Sequence, residues 1–171
     1  MKENRPNPLL AESPLRFGAP VFDRIEEADS LPAFKEAIDR AKADIDAIVS
    51  NPEAPTFANT IEALEDAGAD LDRTSNIFFN LTEACTSDTM DSIAEEVSPL
   101  LTQHSMSILF NEALFARVKA VWEQRESLAL DTEQAKLLEE TWKSFARHGA
   151  NLSPEGKKRF AEISEELSCP P

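Results

Sequence analysis

Apolar residues recur with a helical period along most of the chain. From about Glu27 to Ser50 they fall at Phe34, Ile38, Ala41, Ile45 and Ile48, with Glu36, Asp39, Arg40, Lys42 and Asp46 between them, the 3.6-residue spacing of an amphipathic helix. Pro32 is tolerated only near a helix start, so Asp29 or Ser30 is the expected N-cap. Asn51, Pro52 and Pro55 then break the chain. Thr56 suits the next N-cap, and Ile61, Leu64, Ala67, Leu71, Ile77, Phe78 and Leu81 follow as a stripe. Unbroken to about Ala84, that helix would span roughly 40 Å, with Gly68 the place for a kink.

Thr86, Ser87 and Asp88 form a polar break before a third helix, from about Thr89 to Leu109. Pro99 inside it predicts a bend or two shorter helices. Asn111 caps a fourth, with Leu114, Phe115, Val118, Val121 and Trp122 on its apolar side and an end near Ser127. Asp131 caps a fifth, whose Leu137, Leu138, Thr141, Trp142 and Phe145 lead to a stop at Gly149. Ser153, Pro154 and Glu155 announce a sixth, which buries Phe160, Ile163 and Leu167.

Residues 1–26 behave differently. Pro6, Pro8, Pro14 and Pro20, with Gly18, leave no sustained period and predict an extended arm. Its Leu9, Leu10, Leu15, Phe17, Val21, Phe22 and Ile25 are too many for a disordered tail. The arm is therefore expected to lie across a hydrophobic surface, provided by these helices or by a part of the protein absent from this sequence. The expected organisation is an arm over 1–26, a helical domain over 27–168 and a tail or artificial end over 169–171. The fold class is all-α: an antiparallel bundle of about six helices. Only 4 Gly and no Tyr are present, and the abundance of Ala, Leu, Glu, Asp and Lys suits helix interiors.

Charge narrows the list of partners. With 32 Asp and Glu against 17 Lys and Arg the net charge is −15, a field that repels nucleic acid and anionic membrane surfaces. No apolar run approaches the ~20 residues needed to span a bilayer. Met1 to Leu10 lacks the apolar core of an export signal. Cys85 and Cys169 are too few for a disulfide framework, so reduced thiols and a cytoplasmic location are expected.

Catalytic chemistry is hard to assemble. His104 and His148 are the only histidines; neither opens a His-Glu-x-x-His zinc motif, and Leu101 and Phe145 stand where a Glu-x-x-His site would need acids. Cys85, His104, His148 and Cys169 lack the short ligand pair of a zinc site. Cys85, at a helix end, reads as a buried inert thiol. There is no Gly-x-Ser-x-Gly elbow and no glycine-rich phosphate loop. Glu95-Glu96, Glu139-Glu140 and Glu165-Glu166 point about 100° apart on a helix and read as solvated faces rather than calcium or acid/base pairs. Trp122, Trp142, Phe78 and Phe79 read as core, and His148 as a favourable charge at a helix C-terminus. No catalytic, cofactor-binding or metal-ligating residue is assigned.

The segments FGAPVFDRI (17–25), NPEAPTFANTIEALEDAG (51–68), FFNLTEACTSDTM (78–90), EEVSPLLTQH (95–104), NEALFARVKAVWEQRESLALD (111–131) and RHGANLSPE (147–155) together resemble the N-terminal region of the thimet oligopeptidase family of zinc metallopeptidases. The resemblance covers about Asn7 to Leu167, in order and at the right spacing. It implies a nearly all-helical enzyme of two lobes around a deep channel, whose zinc motif lies far downstream. It also implies that this chain is a non-catalytic wall or lid that restricts the channel to short peptides, while the parent hydrolyses peptide bonds. Zinc is expected in the missing catalytic domain and no cofactor in this chain. The implied partners are that missing lobe and short peptide substrates. Trp142 and Phe145 stand in a stretch where the family often carries tyrosine, which removes a polar handle for peptide contact. The Cys169-Pro170-Pro171 ending suggests an artificial boundary or an interrupted gene. The alternative is a stand-alone acidic interaction module, which would dimerise through the apolar surface that the lobe would otherwise cover.

Overall fold

The computed structural model describes residues 5–150 together with Glu155, Gly156 and Arg159. Among these residues the chain is all-helical, with no strand. It has five long helices, α1 (Glu27–Ser50), α3 (Ala69–Cys85), α4 (Asp88–Leu109), α5 (Glu112–Glu123) and α6 (Thr132–Arg147), and one short one, α2 (Ala63–Asp66), entered through a π-helical turn, Phe57–Glu62. Of the expected helix after Ser153 and Pro154, Glu155, Gly156 and Arg159 are described and helical, while Phe160, Ile163 and Leu167 lie outside the described residues, as do Cys169 and the Glu165-Glu166 pair. The described chain groups into two compact units: up to Ala47 with Asp66–Ser105, and Ile48–Glu65 with the residues from Met106 on.

In the first unit the core is Phe34, Ala37, Ile38 and Ala41 of α1 against Leu71 and Phe78 of α3 and Met90 and Val97 of α4. Phe34, Phe78 and Phe79 meet edge to face, with centroids 5.2–6.2 Å apart, the arrangement their ring quadrupoles favour. Helix α1 starts earlier than Asp29 or Ser30. Asp29 caps from inside the first turn, its carboxylate accepting from the Glu26 amide at 2.8 Å, so Pro32 sits within the helix and leaves only the Ala28 carbonyl without its usual donor. Pro99 likewise does not divide α4, which is one helix from Asp88 to Leu109.

The residues before α1 are not simply extended: Arg16–Gly18 and Phe22–Arg24 form 3-10 turns. Leu9 is fully buried with Ala33 and Ile77, and Leu10 and Ile25 pack alongside. The Arg73 guanidinium donates to the carbonyls of Leu9 (3.3 Å) and Leu10 (2.9 Å) and pairs with Asp70 (3.0 Å). Leu15, Phe17 and Phe22 are exposed.

The expected long helix from Thr56 to Ala84 is broken. Thr56 is the N-cap, in a reciprocal box with Asn59, but Gly68 adopts φ +79°, ψ 16° and separates α2 from α3. That left-handed conformation is open to glycine and costly to other residues. A Cβ at Gly68 would lie 3.4 Å from Ala41 Cβ.

In the second unit the side chains buried include Ile48, Phe57, Ile61, Leu114, Val118, Val121, Leu138 and Phe145. Asn111 caps α5 and Asp131 caps α6, the latter in a box with Gln134. Helix α5 stops at Glu123, short of Ser127, and Arg125–Ser127 forms a 3-10 turn instead. Helix α6 ends with Gly149 at φ 82°, its amide donating to Ala146 and that of Ala150 to Phe145, both at 3.1 Å. This paired closure is the glycine C-terminal stop.

Two substitutions test these local devices. Gly68→Ala should lower unfolding free energy by about 1–2 kcal/mol through the left-handed backbone, and Thr56→Ala by about 1 kcal/mol through loss of the cap. Urea titration of each purified variant measures the change.

Candidate functional site

A cavity within the second unit forms where α5 gives way to α6. Its volume is about 690 Å³ and Trp122, Leu128, Leu130, Ala135 and Leu138 give it an apolar lining, within the size range of small-molecule and peptide side-chain sites. Its walls follow from the chain's turn chemistry. The 3-10 turn after α5 places Arg125 over the Trp122 ring, 4.4 Å from its centroid, with Nη1 donating to the Trp122 carbonyl at 3.0 Å. Asp131, spent on capping α6, accepts from the Gln134 amide at 2.9 Å. Trp122 stacks almost parallel on Trp142 (3°, 5.5 Å), and Phe115 stacks on Trp142 and Phe145. Both tryptophans are half-buried: they pack, as the sequence predicts, and Trp122 also lines the cleft.

Charges around the cleft are already engaged. Lys136 donates to Glu139 (3.1 Å) and Glu140 (2.7 Å), and Lys143 pairs with the same two acids. The hydrogen bond from Lys143 leads in holding the Glu139 carboxyl below its ordinary range, and that from Lys136 leads for Glu140. These acids therefore form a solvated ion-pair ladder on α6, not a general-acid pair. The lining contains no imidazole or thiol, and Thr132 is its one hydroxyl side chain. The cleft can hold an apolar or aromatic group; it has no nucleophile with an adjacent base.

The remaining candidate groups do not converge. Cys85 is exposed, contrary to the expectation of a buried thiol, because α3 ends there on its solvent side. His104 is buried on α4 in the first unit. His148 belongs to the second, where Nδ1 donates to the Ser144 carbonyl at 2.7 Å and secures the end of α6. Among the described residues no group of three or more His, Cys, Asp or Glu is placed to hold a metal ion. A residue the sequence reading leaves out is Arg117, which is buried on α5 and donates to the carbonyls of Asn51 (3.0 Å) and Glu53 (3.3 Å) and to Asn59 Oδ1 (3.1 Å). Its spacing from Leu114, Val118 and Val121 on the inward stripe was the available signal.

Comparison with known proteins decides the relationship. The chain is 44% identical over 160 residues to dipeptidyl carboxypeptidase of Salmonella typhimurium, a match covering 94% of this chain and 24% of that protein. It is 41% identical over 162 residues to dipeptidyl carboxypeptidase of Escherichia coli, covering 95% and 24%. Oligopeptidase A of Salmonella typhimurium matches at 25% over 162 residues, covering 95% and 23%. The chain is an N-terminal region of the thimet-like oligopeptidases. It spans about a quarter of the length of these relatives. No family model matches it. Among its described residues no helix is long and apolar enough to cross a membrane.

Within this oligopeptidase region the fold also alters the titration of the buried His104. Burial, then the charge of Lys42, holds its pKa below the ordinary 6.5. The unfolded chain therefore takes up this proton first as pH falls, so the stability at stake is intact above about 6.5 and is lost on acidification toward the folded value. The urea midpoint should fall between about pH 7.5 and pH 5.5, and His104→Leu should flatten that slope whatever its effect on absolute stability. Titrations of both proteins across this range check it.

Proposed function

We propose that the chain is the non-catalytic helical part of a larger, cytoplasmic zinc-dependent oligopeptidase of the peptidyl-dipeptidase type, in which it walls the substrate channel and limits entry to short peptides. The observation that carries this reading is the asymmetry of coverage: 94% of this chain aligns at 44% identity with 24% of a dipeptidyl carboxypeptidase. Nearly every residue here thus has a counterpart in a peptidase, while most of the peptidase has none here. The 171-residue sequence contains two histidines and no His-Glu-x-x-His, so its own side chains do not fit a catalytic zinc, which needs three protein ligands at one open site.

In the complete enzyme a bound zinc ion would supply activated water for peptide hydrolysis. This chain's contribution is steric. Helix α1, with 24 residues, is about 36 Å long at 1.5 Å per residue, enough to flank an extended peptide of several residues. A packed wall of such helices admits a single extended strand and refuses a folded domain, and by excluding bulk water it strengthens the electrostatics of the site it borders.

The test is a hybrid in which this chain replaces the matched region of the Escherichia coli dipeptidyl carboxypeptidase. The hybrid should hydrolyse a short reporter peptide and spare a folded protein, whereas the purified chain with added zinc should hydrolyse neither substrate. Chelator-sensitive turnover by the isolated chain, or a hybrid that digests folded protein as readily as peptide, would sink the reading.

A further inference from the structure

The segment before α1 presents an apolar tip at a conformational cost that the described chain does not recover. Phe17 is the one non-glycine residue with positive φ among those described, at φ 63°, ψ 19°. The left-handed region costs a bulky L-residue about 1–2 kcal/mol. In return the Phe17 ring is 90% exposed. Leu15 and Phe22 are exposed beside it in sequence, so three of the five exposed large hydrophobics of the described chain lie within eight positions. Single exposed apolar residues are ordinary on a protein surface; a cluster on one short loop marks an interaction site.

The tip is built rather than loose. The Ser13 hydroxyl donates to the Ala19 carbonyl and accepts from the Leu15 amide, and the Gly18 amide donates to the Leu15 carbonyl. Behind it, Leu9 is buried between α1 and α3 and Arg73 holds two carbonyls of the segment. An anchored root and an ordered, strained tip fit a knob whose partner offsets the strain on docking. The tip also carries a charge. Arg16 lies over the Phe17 ring, 4.6 Å from its centroid, and the ion pairs among the described residues leave it out, on a chain of net charge −15.

We propose that the Leu15–Phe22 loop is a docking knob, with Phe17 seated in an apolar pocket rimmed by carboxylates on the remainder of the oligopeptidase polypeptide. The occupant is committed by length: the relatives carry about three quarters of their residues outside the matched region, and such a lobe is the one partner always present at equimolar amount. The pairing of Arg16 with acidic groups follows from charge complementarity, which sets register more than affinity. The proposal rests on the functional reading above.

The experiment uses the same full-length hybrid and the isolated chain, with hydroxyl-radical footprinting of Phe17 read by mass spectrometry. In an active hybrid, oxidation of Phe17 should slow at least about fivefold relative to the free chain, as for a ring taken from 90% exposed to interior. Phe17→Asp should lower the hybrid's melting midpoint by several degrees and leave the free chain's unchanged. An active hybrid whose Phe17 oxidises at the free-chain rate overturns the proposal. Protection that grows with concentration in the free chain, as dimers form, overturns it in favour of a second copy. A well-folded but inactive hybrid overturns the functional reading and this proposal with it.

Discussion

Backbone that leaves a helix without entering a sheet must find partners for its carbonyls or expose them. In both units a single arginine meets that demand. On α3, Arg73 reaches the carbonyls of Leu9 and Leu10, while its ion pair with Asp70 fixes the guanidinium on its own helix. On α5, Arg117 reaches the carbonyls of Asn51 and Glu53, and Asn59 ties the same turn from the other end by donating to the Ala54 carbonyl. A planar fork of five donors suits this work; the compact ammonium of lysine does not spread over two or three acceptors in one plane. The packed helices would exist without these contacts. The positions of the connecting segments, and with them the residues those segments display, would not.

The two units solve their aromatic packing differently. Three phenylalanines meet edge to face around Phe34, whereas the tryptophans lie flat on one another with Phe115 and Phe145 continuing the pile. The flat arrangement leaves Trp122 with one face on Trp142 and the ring still bordering the cleft, where Arg125 covers it. A residue that serves as core on one side and as lining on the other ties the cleft's shape to the packing of α5 against α6.

What could be read from the sequence was what local chemistry decides. Thr56, Asn111 and Asp131 all cap the helices expected of them, because a short side-chain oxygen and an amide three residues on need nothing from the rest of the fold. The inward stripe of α1 is buried throughout, whereas Phe115 and Trp122 on α5 and Leu137, Thr141 and Trp142 on α6 are only half-buried. The break at Gly68 was legible only as a kink, since glycine permits a left-handed residue but tertiary packing against Ala41 decides that it is used. Pro32 lies inside α1 and Pro99 does not split α4 in two, because burial of the flanking helical face outweighs one lost hydrogen bond. The cleft was invisible: it arises from residues 124–131, a stretch without period, whose turn is set by how α5 ends. Family membership was legible from ordered segments alone, since the 171-residue sequence itself carries no His-Glu-x-x-His.

Trp122 and Trp142 are the chain's only indoles and it has no tyrosine, and both belong to the unit that contains α5 and α6. Optically, then, this protein is half silent. Intrinsic emission excited at the red edge reports the melting of that stacked pair alone, while the phenylalanine-lined unit comes apart unseen. Coincidence of an emission curve with one for total helicity is therefore the condition for treating the whole chain as a single cooperative body.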